Sequence, residues 1–141
     1  MPSRHVSIRM EQDAYERLEA ESRRNHEPLS TLAKRLIEEG LRMERHPAIV
    51  FKDGPAGRRA RLIDGEDVWE VISAFPKWND SWDVRSDVAI GSSNLTARQI
   101  MTALKYYADY PDEIDERIRA EDDAWNEALA EGSRRQAVAI P

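Results

Sequence analysis

Residues 4–10 read Arg4-His5-Val6-Ser7-Ile8-Arg9-Met10, and the fold turns on how this run is taken. Val6, Ile8 and Met10 alternate with His5, Ser7 and Arg9, the two-residue period of a half-buried β-strand. Downstream, from Gln12 to Asn25, Tyr15, Leu18 and Ser22 recur at helical spacing among Glu and Arg, and Ala14 widens the stripe, which predicts a first helix. Pro28 interrupts it. Ser30 then stands where a side-chain oxygen caps a second helix, with Leu32, Ala33, Leu36, Ile37 and Leu41 on one face and an end near Glu44. A lone strand followed by two helices leaves both strand edges unpaired and a core too small to stand alone. Two copies pairing Val6, Ile8 and Met10 about a two-fold axis remove both problems, so residues 1–45 are expected to form a dimerisation domain.

Composition limits what the rest can be. With 141 residues the chain holds one ordinary domain or two very small ones, which excludes large catalytic barrels and doubly wound sheets. Charged residues at 34% against 40% hydrophobic ones favour small or elongated units over one deep core. The net charge of −6 argues against a nonspecific polyanion binder, so a nucleic-acid site has to be a local patch. Zero cysteines exclude disulfides, thiol nucleophiles and Cys-based zinc sites, and fit the reducing cytoplasm. No apolar run is long enough to span a bilayer and the first ten residues lack a signal-peptide core, so a soluble, cytoplasmic protein with no membrane partner is expected.

The texture changes after His46-Pro47. Ile49-Val50-Phe51, the turn-rich Lys52 to Gly57 and then Arg58 to Ile63 predict a hairpin, and Asp64 is placed to cap a helix bearing Val68, Val71, Ile72 and Phe75 that Pro76 ends. Lys77 to Asn94, with Trp78 and Trp82 four apart, is the least legible stretch. Thr96-Ala97-Arg98-Gln99 then forms a capping box, and Leu95 with Ile100 the matching hydrophobic staple. The helix that follows is expected to bury Ile100, Ala103, Leu104 and Tyr107. Pro111 suits the first position of a last helix, whose Asp112 and Glu113 favour its N-terminal dipole and which Gly132 is expected to end. From Pro111 to Glu131 nine acids face two bases, and Ile114, Ile118, Trp125 and Leu129 lie on one side of this acidic rod. The expected fold class is mainly α with short β.

Several side chains are candidates for chemistry. His5, Ser7 and Arg9 face away from the apolar row, and a two-stranded ribbon fits the DNA major groove, where Arg9 can bond guanine in bidentate fashion. The same alternation also suits a strand facing solvent. Ser30 and Thr31, at a helix N-terminus, can anchor a phosphate; Ser30 can equally be only a cap. Arg58 and Arg59, with Arg61, form a basic hairpin that fits either a phosphate-touching wing or a solvated turn. The tryptophans are read as core or protein-interface anchors before base-stacking groups. The last helix can lie in a partner's groove or on its own domain. Arg134 and Arg135 belong to an expected disordered tail.

Enzymatic signals are weak. His5, His26 and His46 are widely spaced and form no metal-ligand pair. No phosphate-cradling Walker loop and no nucleophile elbow at Ser92 or Ser93 is present, and Glu121-Asp122-Asp123 point around a helix. No catalytic residue, metal or cofactor is therefore expected.

Arg4 to Met10, the Tyr15/Leu18 helix and Leu29-Ser30-Thr31-Leu32 through Leu41 resemble the ribbon-helix-helix family of repressors and antitoxins over residues 4–45. The resemblance implies a homodimer whose paired strands enter the major groove of double-stranded operator DNA, with base contact carried by His5, Ser7 and Arg9. Residues 46–118 resemble the small winged-helix-like domains of antitoxins paired with PIN-type ribonuclease toxins. The landmarks are His46-Pro47-x-Ile49, the Gly54 to Arg61 hairpin, Asp67-Val68-Trp69-Glu70-Val71 and Leu95-Thr96 through Tyr110-Pro111-Asp112-Glu113-Ile114. This second resemblance is looser around Trp78 and Trp82. Together they imply an antitoxin that represses its own operon and neutralises the toxin. A winged-helix-like domain would occupy residues 46–110 and an acidic amphipathic helix and tail residues 111–141. Toxin contact would fall on Ile114, Ile118, Trp125 and Leu129, with Arg134 and Arg135 offered to the toxin's carboxylate cluster. A ribbon-helix-helix repressor without a toxin and a dimeric scaffold that binds no DNA are the alternatives.

Overall fold

A computed structural model describes residues 2–74 and 94–139. The described elements are α1 (Gln12–Asn25), α2 (Leu29–Arg45), β1 (Ile49–Gly54), β2 (Gly57–Leu62), α3 (Val68–Ser73), α4 (Ala97–Asp109) and α5 (Pro111–Ala139). The protein is mainly helical with one short antiparallel hairpin. It divides into two units, Met1–Arg45 and His46–Pro141.

In the first unit, α1 has Asp13 in its first turn and Arg23 and Arg24 in its last, both favourable to the helix dipole. It closes on a Schellman pattern. The Glu27 amide donates to the Ser22 carbonyl at 3.2 Å and the His26 amide to the Arg23 carbonyl at 3.3 Å, with His26 left-handed at φ 53°. The Ser22 hydroxyl donates to the Glu27 carbonyl at 2.6 Å, so the corner into α2 is fastened twice. The start of α2 differs from expectation. Ser30 lies inside the first turn, because the Leu32 amide already donates to the Pro28 carbonyl and the helix begins at Leu29. Pro28 needs no amide partner, so it can open the helix where a serine cap would have delayed it. Arg35 bridges Glu27 at 2.7 Å and tightens the α1–α2 corner.

Residues 2–11 form neither strand nor helix. The expected strand is absent from the single chain for a physical reason: a ladder needs a second edge, and among the described residues this chain supplies none to it.

The second unit is built on the hairpin. Ile49 pairs with Leu62, Phe51 with Ala60 and Gly54 with Gly57, around a loop of Pro55 and Ala56. Gly57 has φ +107°, which an L side chain rarely adopts, so glycine is required to close this turn. The register places Ile49, Phe51, Ala60 and Leu62 on the inner face and Val50, Lys52, Arg59 and Arg61 on the other. The inner face joins Val68, Val71, Leu95, Ile100, Ala103, Tyr106 and Ile114 in one buried cluster. Asp67, not Asp64, precedes α3, because the Leu62 amide donates to the Glu66 carbonyl at 2.9 Å and delays the helix. The capping box at Thr96 is fully formed: the Gln99 amide donates to Thr96 Oγ1 at 3.2 Å and the Thr96 amide to Gln99 Oε1 at 2.8 Å. Leu95 and Ile100, the staple pair, are both buried. On α4 the buried side chains are Ile100, Ala103 and Tyr106, whereas Leu104 and Tyr107, expected to be buried, are half-exposed. Helix α5 runs through Gly132 to Ala139, so the expected stop at Gly132 does not occur. Phe75, Pro76, Trp78 and Trp82 lie outside the described residues.

Candidate nucleic-acid interface and partner-binding surface

At the N-terminus, His5 Nε2 lies 3.0 Å from Ser7 Oγ, a contact between positions i and i+2 that extended backbone allows and helical backbone does not. The two polar side chains His5 and Ser7 thus meet on one side of the segment. His5, Ser7 and Arg9 are exposed. So are Val6 at 72%, Ile8 at 64% and Met10 at 46%. Tyr15 of α1 and Leu36, Ile37, Leu41 and Met43 of α2 are exposed as well, and Leu32 is the unit's buried apolar side chain among the described residues. Ser30 and Thr31 are exposed in the first turn of α2, where backbone amides have no intrahelical acceptor. Helical geometry thus leaves the phosphate-anchoring position available even though Ser30 is not a cap.

The hairpin arginines sit differently from a solvated wing. Arg58 pairs with Asp53 at 3.3 Å. Arg59 pairs with the buried carboxylate of Asp67, and Arg61 Nε donates to the Gly65 carbonyl at 2.8 Å while lying 3.9 Å from Asp67. Trp69 Nε1 donates to the same carboxylate at 3.2 Å. A carboxylate this far from water needs such donors, and together they bind the outer face of β2 to the start of α3. Arg59 and Arg61 are thereby engaged in holding the fold. Asp67 was not singled out as a site by sequence reasoning. Its only sequence signal is an acid directly before the apolar stripe that begins at Val68, downstream of two arginines at alternate positions, Arg59 and Arg61. Beside it, the Glu70 carboxyl is pushed above its ordinary range, first by partial burial and then by repulsion from Asp67 and Glu66, with Arg59 and Arg61 opposing.

A second polar cluster closes the other side of this unit. His46 Nε2 lies 2.8 Å from Asp109 Oδ2, and the imidazole meets the Tyr106 ring edge-on at 5.3 Å. The Tyr106 hydroxyl donates to Glu113 and the Tyr107 hydroxyl to Asp115, both at 2.7 Å, tying α4 to α5 across the Tyr110-Pro111 corner. The bond to Asp115, followed by partial burial, raises the Tyr107 phenol above its ordinary value.

Helix α5 has two contrasting halves. Ile114 is 4% exposed and belongs to the core, Ile118 packs against it, and Arg117 donates to the Ala56 carbonyl at 2.9 Å. Ile114 and Ile118, expected to face a toxin, instead hold the helix on its own unit. From Asp122 to Val138 every side chain is exposed, including Trp125 at 67% and Leu129 at 53%. Arg134 and Arg135, expected in a disordered tail, are helical and pair with Glu131 at 3.0 and 3.3 Å. Ala, Arg, Gln and Glu around them are strong helix formers, which outweighs the about 1 kcal/mol cost of one internal glycine.

No helix among the described residues is long and apolar enough to cross a membrane. Comparison with protein-family models, with curated proteins and with solved structures finds no match to this chain.

Proposed function

We propose that the chain is a homodimeric DNA-binding regulator of ribbon-helix-helix type, acting as the antitoxin of a toxin–antitoxin pair. One observation carries the DNA reading: Val6, Ile8 and Met10, which alternate in sequence with His5, Ser7 and Arg9, are left exposed by the single chain, and the polar pair His5 and Ser7 meet. Pairing two such segments would cover the apolar row, supply the missing ladder and present six polar side chains, three from each copy, to a major groove. The exposed row on Tyr15, Leu36, Ile37, Leu41 and Met43 supports the same reading, since it would close over the paired strands. The toxin half rests on the sequence resemblance of residues 46–118 and on a second unit with a core of its own. In this reading a PIN-type ribonuclease toxin binds the second unit, and operator binding by the first represses the operon.

The test is mobility shift of promoter DNA upstream of the gene by the parent and by Arg9→Ala. If Arg9 contacts a guanine, the variant loses about 1–3 kcal/mol of operator discrimination. Equal discrimination by both removes that contact, and no shift by either removes the DNA reading. Co-expression with the neighbouring gene, followed by co-purification and an RNA-cleavage assay, tests the toxin half separately.

A further inference from the structure

Trp125 and Leu129 stand in open solvent on α5, and the sequence around them is complementary to its own reverse. At about 100° per residue, Glu121, Trp125, Ala128, Leu129, Gly132 and Gln136 fall on one face, while Asp123 and Arg134 fall on the opposite one. That face continues the line of Ile114 and Ile118, which lower on the helix is packed into the core.

We propose that this face pairs with the same face of a second copy of the chain, antiparallel, about a two-fold axis close to Ala128. Reversal places the indole of Trp125 over Ala128 and Gly132 of the second copy. The space above Gly132 is empty, with nothing within 4 Å of a Cβ placed there, so a large ring has room to lie against the backbone. Charge selects the direction. Acids occupy positions 121 to 123 and bases 134 and 135, so a parallel pair would set acid on acid and base on base, whereas reversal sets Arg135 near Glu121 of the second copy, twice by symmetry. Arg135 is free to make that exchange, since its pair with Glu131 is solvent-exposed and weakly held. The complementarity lies within one sequence, and this makes a second copy the occupant in preference to an unrelated protein. The interface is short, so association is reversible and depends on concentration. It is distinct from pairing through the N-terminal segment.

The absence of cysteine allows a direct test, because a single introduced thiol reports proximity without background. In the full chain, Ala128→Cys lies near the axis and Asp123→Cys on the far face. Mild oxidation should give a covalent dimer from Ala128→Cys and about tenfold less from Asp123→Cys, since disulfide geometry tolerates little separation. Adding Gly132→Glu strengthens the helix of the single chain yet fills the space the indole needs, so it should abolish the Ala128→Cys product. Adding Ile8→Asp removes N-terminal pairing and should leave the product intact, which separates failure of this inference from failure of the DNA-binding reading. Equal products at both positions, or a yield unchanged by Gly132→Glu, overturn the proposal. No product from Ala128→Cys also overturns it and leaves the face to a partner of another kind.

Discussion

The two units solve the problem of burying apolar surface in opposite ways. His46–Pro141 draws ten residues from hairpin, α3, α4, α5 and the Leu95 staple into one cluster. Met1–Arg45 buries Leu32 and leaves eight large apolar side chains from Val6 to Met43 in water. The second unit has a core of its own, whereas the first leaves most of its large apolar side chains uncovered. Full burial of a Val, Leu, Ile or Met side chain contributes about 1.5–3 kcal/mol, so the eight exposed side chains, seven of them of these types, mark stabilisation that the single chain leaves unused.

Substitutions can break this contrast. The largest effect is expected from Ile8→Asp: if the first unit is completed by a second copy, a charge in the apolar row abolishes pairing through that unit and with it DNA binding, as read by mobility shift, and weakens self-association in sedimentation to what α5 alone supports. The thermal transition of the second unit should be unchanged. In the parent, the melting of the first unit should rise with protein concentration far more steeply than that of the second, whose core is complete in one chain. Next, Ile100→Ala removes a fully buried side chain and should cost the second unit about 2–5 kcal/mol in chemical denaturation, with dimerisation retained. Thr96→Ala deletes one arm of the capping box and should cost about 1 kcal/mol there. The smallest effect has the opposite sign. His26→Gly relieves a left-handed residue at the Schellman corner, and after the extra freedom it gives the unfolded chain it should stabilise the first unit by about 0.5 kcal/mol. A melting temperature that falls instead would show that His26 has a role beyond closing the helix.

What could be read from the sequence was what local chemistry decides. The span of α1, the hairpin and the Thr96 capping box all follow from interactions within a few residues, and the structure has each. Errors arose where a distant group decides. Ser30 has the chemistry of a cap, but Pro28 starts the helix before it. Gly132 has the flexibility of a stop, yet a helix stops there only if the chain has somewhere to turn, and the residues beyond it favour continuing. Arg59 and Arg61 read as a basic surface until Asp67, brought beside them by the fold, claims both. Periodicity from Ile100 favours Leu104 and Tyr107 and leaves Tyr106 off the stripe, and only packing against the hairpin and α5 turns the buried face to Ile100, Ala103 and Tyr106. For the candidate site, the polar and apolar rows of residues 5–10 were visible in the alternation itself, whereas the split of α5 into a packed and a free half was not, since Ile118 and Trp125 look alike in a periodic pattern.

The free half of α5 has a further effect on how long the molecule survives. About eighteen residues of helix without tertiary support are marginal in water, and such a segment winds and unwinds within about a microsecond. Degradative enzymes bind chain in its unwound form, so this stretch, like the exposed residues 2–11, should be open to cleavage until a bound surface holds it wound.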